Sequence, residues 1–86
     1  MNDRSILAGI AAVAREHLGW DGPPLTPETR LVEDLRLDSI RLLTLAAEVE
    51  NRFQVMLAEE DERGIETVGD LVAVVQRKLG SGGRAG

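Results

Sequence analysis

The chain has 86 residues, a net charge of -5, 43% hydrophobic and 29% charged residues, no cysteine and a single histidine, His17. That is one small domain burying about 60% of its unfolded surface, too little for a deep enclosed active site. Disulfides, thiolate chemistry and Cys-ligated metal are excluded, and a His-based metal site or triad has too few members. Ten scattered basic residues in an acidic chain make no nucleic-acid footprint, and no apolar run nears the roughly eighteen residues of a membrane span. No signal-peptide pattern opens the chain, so a cytoplasmic location and a monomeric state are expected.

The aromatics are Trp20 and Phe53 alone. A core built from Leu, Val, Ile and Ala suits packed helices better than a sandwich. The first segment places Ile6, Leu7, Ile10, Val13, Ala14 and Leu18 at helical spacing. Asn2 or Asp3 is available as its N-cap and Gly19 as its terminator. His17 lies beside the stripe near the C-terminal end, where an imidazole suits the helix dipole better than any ligand role.

From Trp20 to Asp38 the periodicity fades, and Gly22, Pro23, Pro24 and Pro27 break any long element. Leu25, Leu31, Val32, Leu35 and Leu37 are expected to pin this segment across the core. Thr26-Pro27 reads as an N-cap followed by a first-turn proline, which predicts one short helical turn.

A second helix is predicted from Ser39 to Phe53. Leu42, Leu45, Ala46, Val49 and Phe53 form its core stripe, and Ile40, Leu43 and Ala47 form a second stripe beside it. A helix with one buried face does not need both, so the second stripe is either enclosed or reserved for a partner. The charges of this helix, Arg41 and Arg52 against Glu48 and Glu50, cancel.

Residues 54–66 hold the acidic run Glu59-Glu60-Asp61-Glu62, flanked by Val55, Leu57 and Ile65, which predicts a loop with at most a short helix. Thr67 with Asp70 three residues on reads as a short-armed capping box for a last helix. Val68, Leu71, Val72, Val75 and Leu79 give that helix its stripe, and Gly80 is expected to end it. The expectation is an all-α fold, a small four-helix bundle of three main helices plus a short third one. A domain over residues 1–79 is followed by a disordered tail over 80–86.

Asp38-Ser39 opens the second helix. Either residue alone is most often just a cap. A serine there has another use, because a helix N-terminus offers unpaired N–H groups and a partial positive charge to a phosphate. With no base in sight to activate it, such a serine would be an attachment point and no catalyst.

The stretch "LVEDLRLDSIRLLTLAAEVENRF" resembles the acyl carrier protein family around its modified serine. The family signature, (D/E)-x-L-G-x-D-S-(L/I), reads "EDLRLDSI" here, and the later "FQVMLAEEDERGIETVGDLVAVVQRKL" is similar to the family's third-helix region, turn and final helix. The resemblance implies a 4'-phosphopantetheine arm on Ser39, donated from coenzyme A by a phosphopantetheinyl transferase, with Asp38 as the motif acid. The arm's thiol would carry acyl groups as thioesters between loading, synthase and modifying enzymes, and the carrier would have no catalytic activity of its own. Ile40, Leu43 and Ala47 would be the partner-docking residues.

Two departures matter. Arg36 stands where the motif has glycine, so a backbone needing Gly must be met otherwise. The second helix also lacks the rich acidity of fatty-acid-synthesis carriers, which points to a polyketide or other secondary-metabolite pathway. An aminoacyl, peptidyl or D-alanyl carrier is the neighbouring alternative. An unmodified helical adaptor with Ser39 as a plain cap is the remote one.

Overall fold

The computed structural model describes residues 2–82. Helix α1 runs Asp3–Leu18, and Asn2 is its cap: Asn2 Oδ1 accepts the Ser5 N–H at 2.8 Å. Gly19 ends it in the left-handed region at φ 71°, which lets the Trp20 N–H return to the Ala14 carbonyl at 3.0 Å. Helix α2 spans Ser39–Phe53, α3 Glu59–Arg63 and α4 Val68–Gly82. Among the described residues, four helices with one isolated antiparallel bridge, Arg30 to Thr67, make an all-α fold as expected.

α1 lies against both α2 and α4. Ile6, Ile10 and Val13 of α1 meet Leu45, Val49 and Phe53 of α2 and Val68, Leu71 and Val75 of α4, all buried. Burying each such side chain contributes about 1.5–3 kcal/mol, so the three-helix core holds the domain together.

The long connection between α1 and α2 is pinned by Leu25, Leu31, Leu35 and Leu37, all buried. Val32 does not join them and is 59% exposed. The cause is a tight turn, in which the Asp34 and Leu35 N–H groups both donate to the Arg30 carbonyl at 3.0 and 3.1 Å. Leu31 and Leu35 then share the inner side, and Val32 falls on the outer one. Thr26-Pro27 yields a turn and no helix. The Thr29 N–H reaches the Thr26 carbonyl at 3.0 Å, and Thr29 Oγ1 accepts the Thr26 N–H at 2.9 Å.

This connection is also laced to the start of α4. Leu31 N–H donates to the Glu66 carbonyl at 3.0 Å, Val68 N–H to the Thr29 carbonyl at 2.8 Å, and Gly69 N–H to the Pro27 carbonyl at 2.9 Å. The approach at Gly69 is close, since a Cβ there would sit 2.8 Å from the Pro27 oxygen. The predicted capping box is present: Asp70 N–H donates to Thr67 Oγ1 at 3.1 Å, and Asp70 Oδ2 accepts the Thr67 N–H at 3.1 Å. Those bonds hold the Asp70 carboxyl below the ordinary carboxylate range, with the backbone N–H of Glu66 as the largest cause.

Gly80 does not end α4, which continues to Gly82. A glycine stops a helix by turning left-handed, and among the described glycines only Gly19 has a positive φ. Residues 83–86, where most of the expected disordered tail falls, lie outside the described residues.

Candidate attachment site and the adjoining cleft

The N-cap of α2 is Asp38, whose Oδ1 accepts the Arg41 N–H at 2.9 Å. Ser39 is therefore the first helical residue, exposed and relieved of capping. Its position leaves the hydroxyl at the end of a fifteen-residue helix, beside N–H groups that have no partner within the helix. Such a terminus favours an anion by about 0.3–1 kcal/mol when exposed.

What aims this end is the chain just before it. Leu35 and Leu37 are both buried, and the Leu37 N–H returns to the Leu31 carbonyl at 3.2 Å. Between two inward leucines the backbone must reverse, and Arg36 does so with φ 57°. The glycine-like conformation is thus adopted by an arginine, at a cost of about 1–2 kcal/mol.

Beside Ser39 opens a cleft of about 350 Å³. Leu42, Leu45 and Ala46 of α2 form one wall, Leu57, Glu62 and Ile65 the other, and Leu71 of α4 lies at the back. Ser39 and Glu62 are its polar lining residues. Leu42 and Ala46, read from the sequence as core, are only half-buried because they face this cleft. The apolar pair Leu57 and Ile65 around an acidic run was the available signal, and it shows only once α3 is placed across from α2.

The second stripe is exposed: Ile40 at 74%, Leu43 at 64%, and Ala47 with them. Leu43 also reaches the mouth of the cleft. Met56 at 79%, past the end of α2, adds an exposed apolar group that the sequence reading did not single out.

α3 contributes no buried residue. Its carboxylate Asp61 binds it to α4, with Oδ1 2.6 Å from Arg77 Nη2 and Oδ2 2.8 Å from Lys78 Nζ, and it also accepts the Ala58 N–H at 3.0 Å. Lys78 above all, then the Ala58 N–H and Arg77, hold the Asp61 carboxyl below its usual range. On the other side Glu50 Oε2 accepts the Leu57 N–H at 2.7 Å. His17 is not brought to Ser39. Its Nε2 lies 3.4 Å from Glu48 Oε1, and Glu48 is about 13 Å further along α2.

Residues 8–75 match the family model described as a phosphopantetheine attachment site. The chain is 36% identical over 77 residues to the meromycolate extension acyl carrier protein of Mycobacterium tuberculosis, covering 90% of this chain and 67% of that protein. It is 36% identical over 80 residues to the acyl carrier protein MbtL of a Mycobacterium species, covering 93% and 90%. The crystal structure of an acyl carrier protein from Thermotoga maritima superposes with a TM-score of 0.84 at 28% identity, covering 94% of each chain.

Proposed function

Because the chain belongs to the acyl carrier protein family, whose covalent cofactor is 4'-phosphopantetheine, we propose that Ser39 bears the arm and that the cleft beside it receives an acyl cargo. The observation that carries this reading is Asp38 acting as cap. It frees an exposed Ser39 hydroxyl at a helix N-terminus on the rim of an apolar cleft. A phosphodiester on Ser39 would meet the unpaired N–H groups and positive end of α2. When bound, the arm supplies the thiol that holds acyl groups as thioesters. The protein's own residues position that arm, and Leu42, Leu45, Ala46, Leu57 and Ile65 shelter its load.

The apolar lining favours a hydrocarbon cargo over an aminoacyl one, which would find only the Glu62 side chain to hydrogen-bond once Ser39 is esterified to the arm. The name of the Mycobacterium tuberculosis relative, for meromycolate extension, supports a specialised pathway over housekeeping fatty-acid synthesis, and the weak acidity of α2 favours the polyketide or a related kind. Ile40, Leu43 and Ala47 are the face offered to the transferase and to the loading and synthase enzymes.

Incubation with coenzyme A and a broad-specificity transferase should raise the intact mass by one phosphopantetheine, and Ser39→Ala should abolish the gain. An alanine variant that is still modified overturns the site. For the cargo, an octanoyl arm should slow hydrogen exchange at Leu57 and Ile65 while an alanyl arm leaves it unchanged. Equal protection by both would remove the preference for hydrocarbon.

A further inference from the structure

The four charges of α2 cancel in composition, but they do not cancel where partners approach. Glu48 is turned to His17 on α1, and Glu50 to the Leu57 N–H. Both acids lie in the second half of the helix and are held by neighbours at its flanks. Its first turn has no acid. Arg41 stands there, exposed and outside every ion pair among the described residues. Arg36, held out by its left-handed backbone, is exposed and unpaired in the same way. Asp38 lies between them, but its carboxylate is fixed on the Arg41 N–H, where the helix end offsets its charge.

We infer that the enzymes acting on Ser39 dock with carboxylates set against Arg36 and Arg41, around an apolar socket for Ile40 and Leu43. This rests on Ser39 as the attachment point. Arginine favours two-pronged pairing with carboxylate, and an arginine-rimmed apolar patch is poorly matched to a cationic surface. Rim charges of this kind set association rate and partner choice more than the lifetime of the docked complex.

The test uses the full chain and, as probe, a phosphopantetheinyl transferase of known structure whose docking rim is carboxylate-bearing. A second form of it has those carboxylates replaced by lysines. kcat/KM for arm transfer is read by intact mass. Arg36→Glu combined with Arg41→Glu should lower kcat/KM about tenfold with the acidic rim and raise it with the lysine rim. Both shifts should shrink at high salt as screening shortens the reach of the charges. Arg4→Glu, on the first turn of α1, makes the same charge change as Arg41→Glu alone and should alter neither rate appreciably. If circular dichroism shows the double variant misfolded, Arg41→Glu alone carries the test, with a smaller shift of the same signs. Equal shifts with both rims, or faster transfer to the double variant at the acidic rim, overturn the inference. No arm gained by the unaltered chain from either transferase sinks the attachment reading beneath it.

Discussion

The two walls of the cleft are built in opposite ways. α2 is fifteen residues long, capped by Asp38 and anchored through buried Leu45, Val49 and Phe53. The other wall is α3 with its flanks. None of the five helical residues is buried, and Leu57 and Ile65 on either side pack only partly against the core. Asp61 with Arg77 and Lys78, and the Leu57 N–H with the Glu50 carboxylate, tie it down. A wall fixed by core packing moves only if the domain loosens, whereas a wall held mainly by a few polar contacts and partial packing can move alone. Ser39, the proposed attachment residue, sits on the first kind of wall. The second kind faces the space where cargo is proposed to lie.

The sharpest way to break this contrast is inside α2. Leu45→Ala should destabilise the whole domain by about 2–5 kcal/mol, since it empties a site beneath the rigid wall. Ile40→Ala, on the exposed side of the same helix, should change stability by less than about 0.5 kcal/mol. Urea denaturation of both variants checks this, and equal losses would erase the division into faces.

Next in size is the helix start. Asp38→Ala should cost about 0.5–2 kcal/mol as a lost cap, while Ser39→Ala should stay within about 0.5 kcal/mol. A larger loss from the serine than from the aspartate would make Ser39 structural.

Smaller again is Arg36→Gly. Relief of the left-handed strain, about 1–2 kcal/mol, is offset in part by glycine's greater entropy loss, about 0.5–1 kcal/mol. A modest rise in the urea midpoint is expected, and a fall would mean the arginine side chain stabilises the loop.

The least global effect belongs to α3. Asp61 has a depressed pKa in the folded protein, so its contribution is complete above the ordinary aspartate range and is lost as pH falls through the depressed value. Hydrogen-exchange protection factors over residues 58–66, referred to the intrinsic rate at each pH, should therefore fall on acidification, and those of α1 should hardly change. Asp61→Asn should show the faster exchange already at neutral pH. If α1 loosens in step with α3, the walls are one unit.

The rigid wall was the legible one. Its apolar spacing and its cap at Asp38, like the α1 caps at Asn2 and Gly19 and the Thr67–Asp70 box of α4, act within a few residues along the chain, so local chemistry reveals them. The cleft was not legible, because Leu42 and Ala46 have the same spacing whether they face a core or a gap. Val32 misled for a related reason. Its place on the outside of the turn depends on the hydrogen bonds that close on the Arg30 carbonyl, and hydrophobicity carries no trace of them. Gly80 shows that a residue able to end a helix need not do so. The charges of α2 were counted correctly from composition, yet only the positions of His17 and Leu57 separate the held acids from the presented arginines.

The lacing of residues 27–31 onto 66–69 sets an order of events during synthesis. Those bonds close a loop of nearly forty residues, and they exist only when Gly69 has been made and has left the ribosome. Until then the segment leading to Ser39 lacks the residues 66–69 that orient it, although α1 and α2 are already complete. A nascent chain paused before Thr67 would offer the serine on an unanchored segment. A chain from which Gly69 has emerged is thus the earliest form in which an enzyme can meet the serine in its native setting.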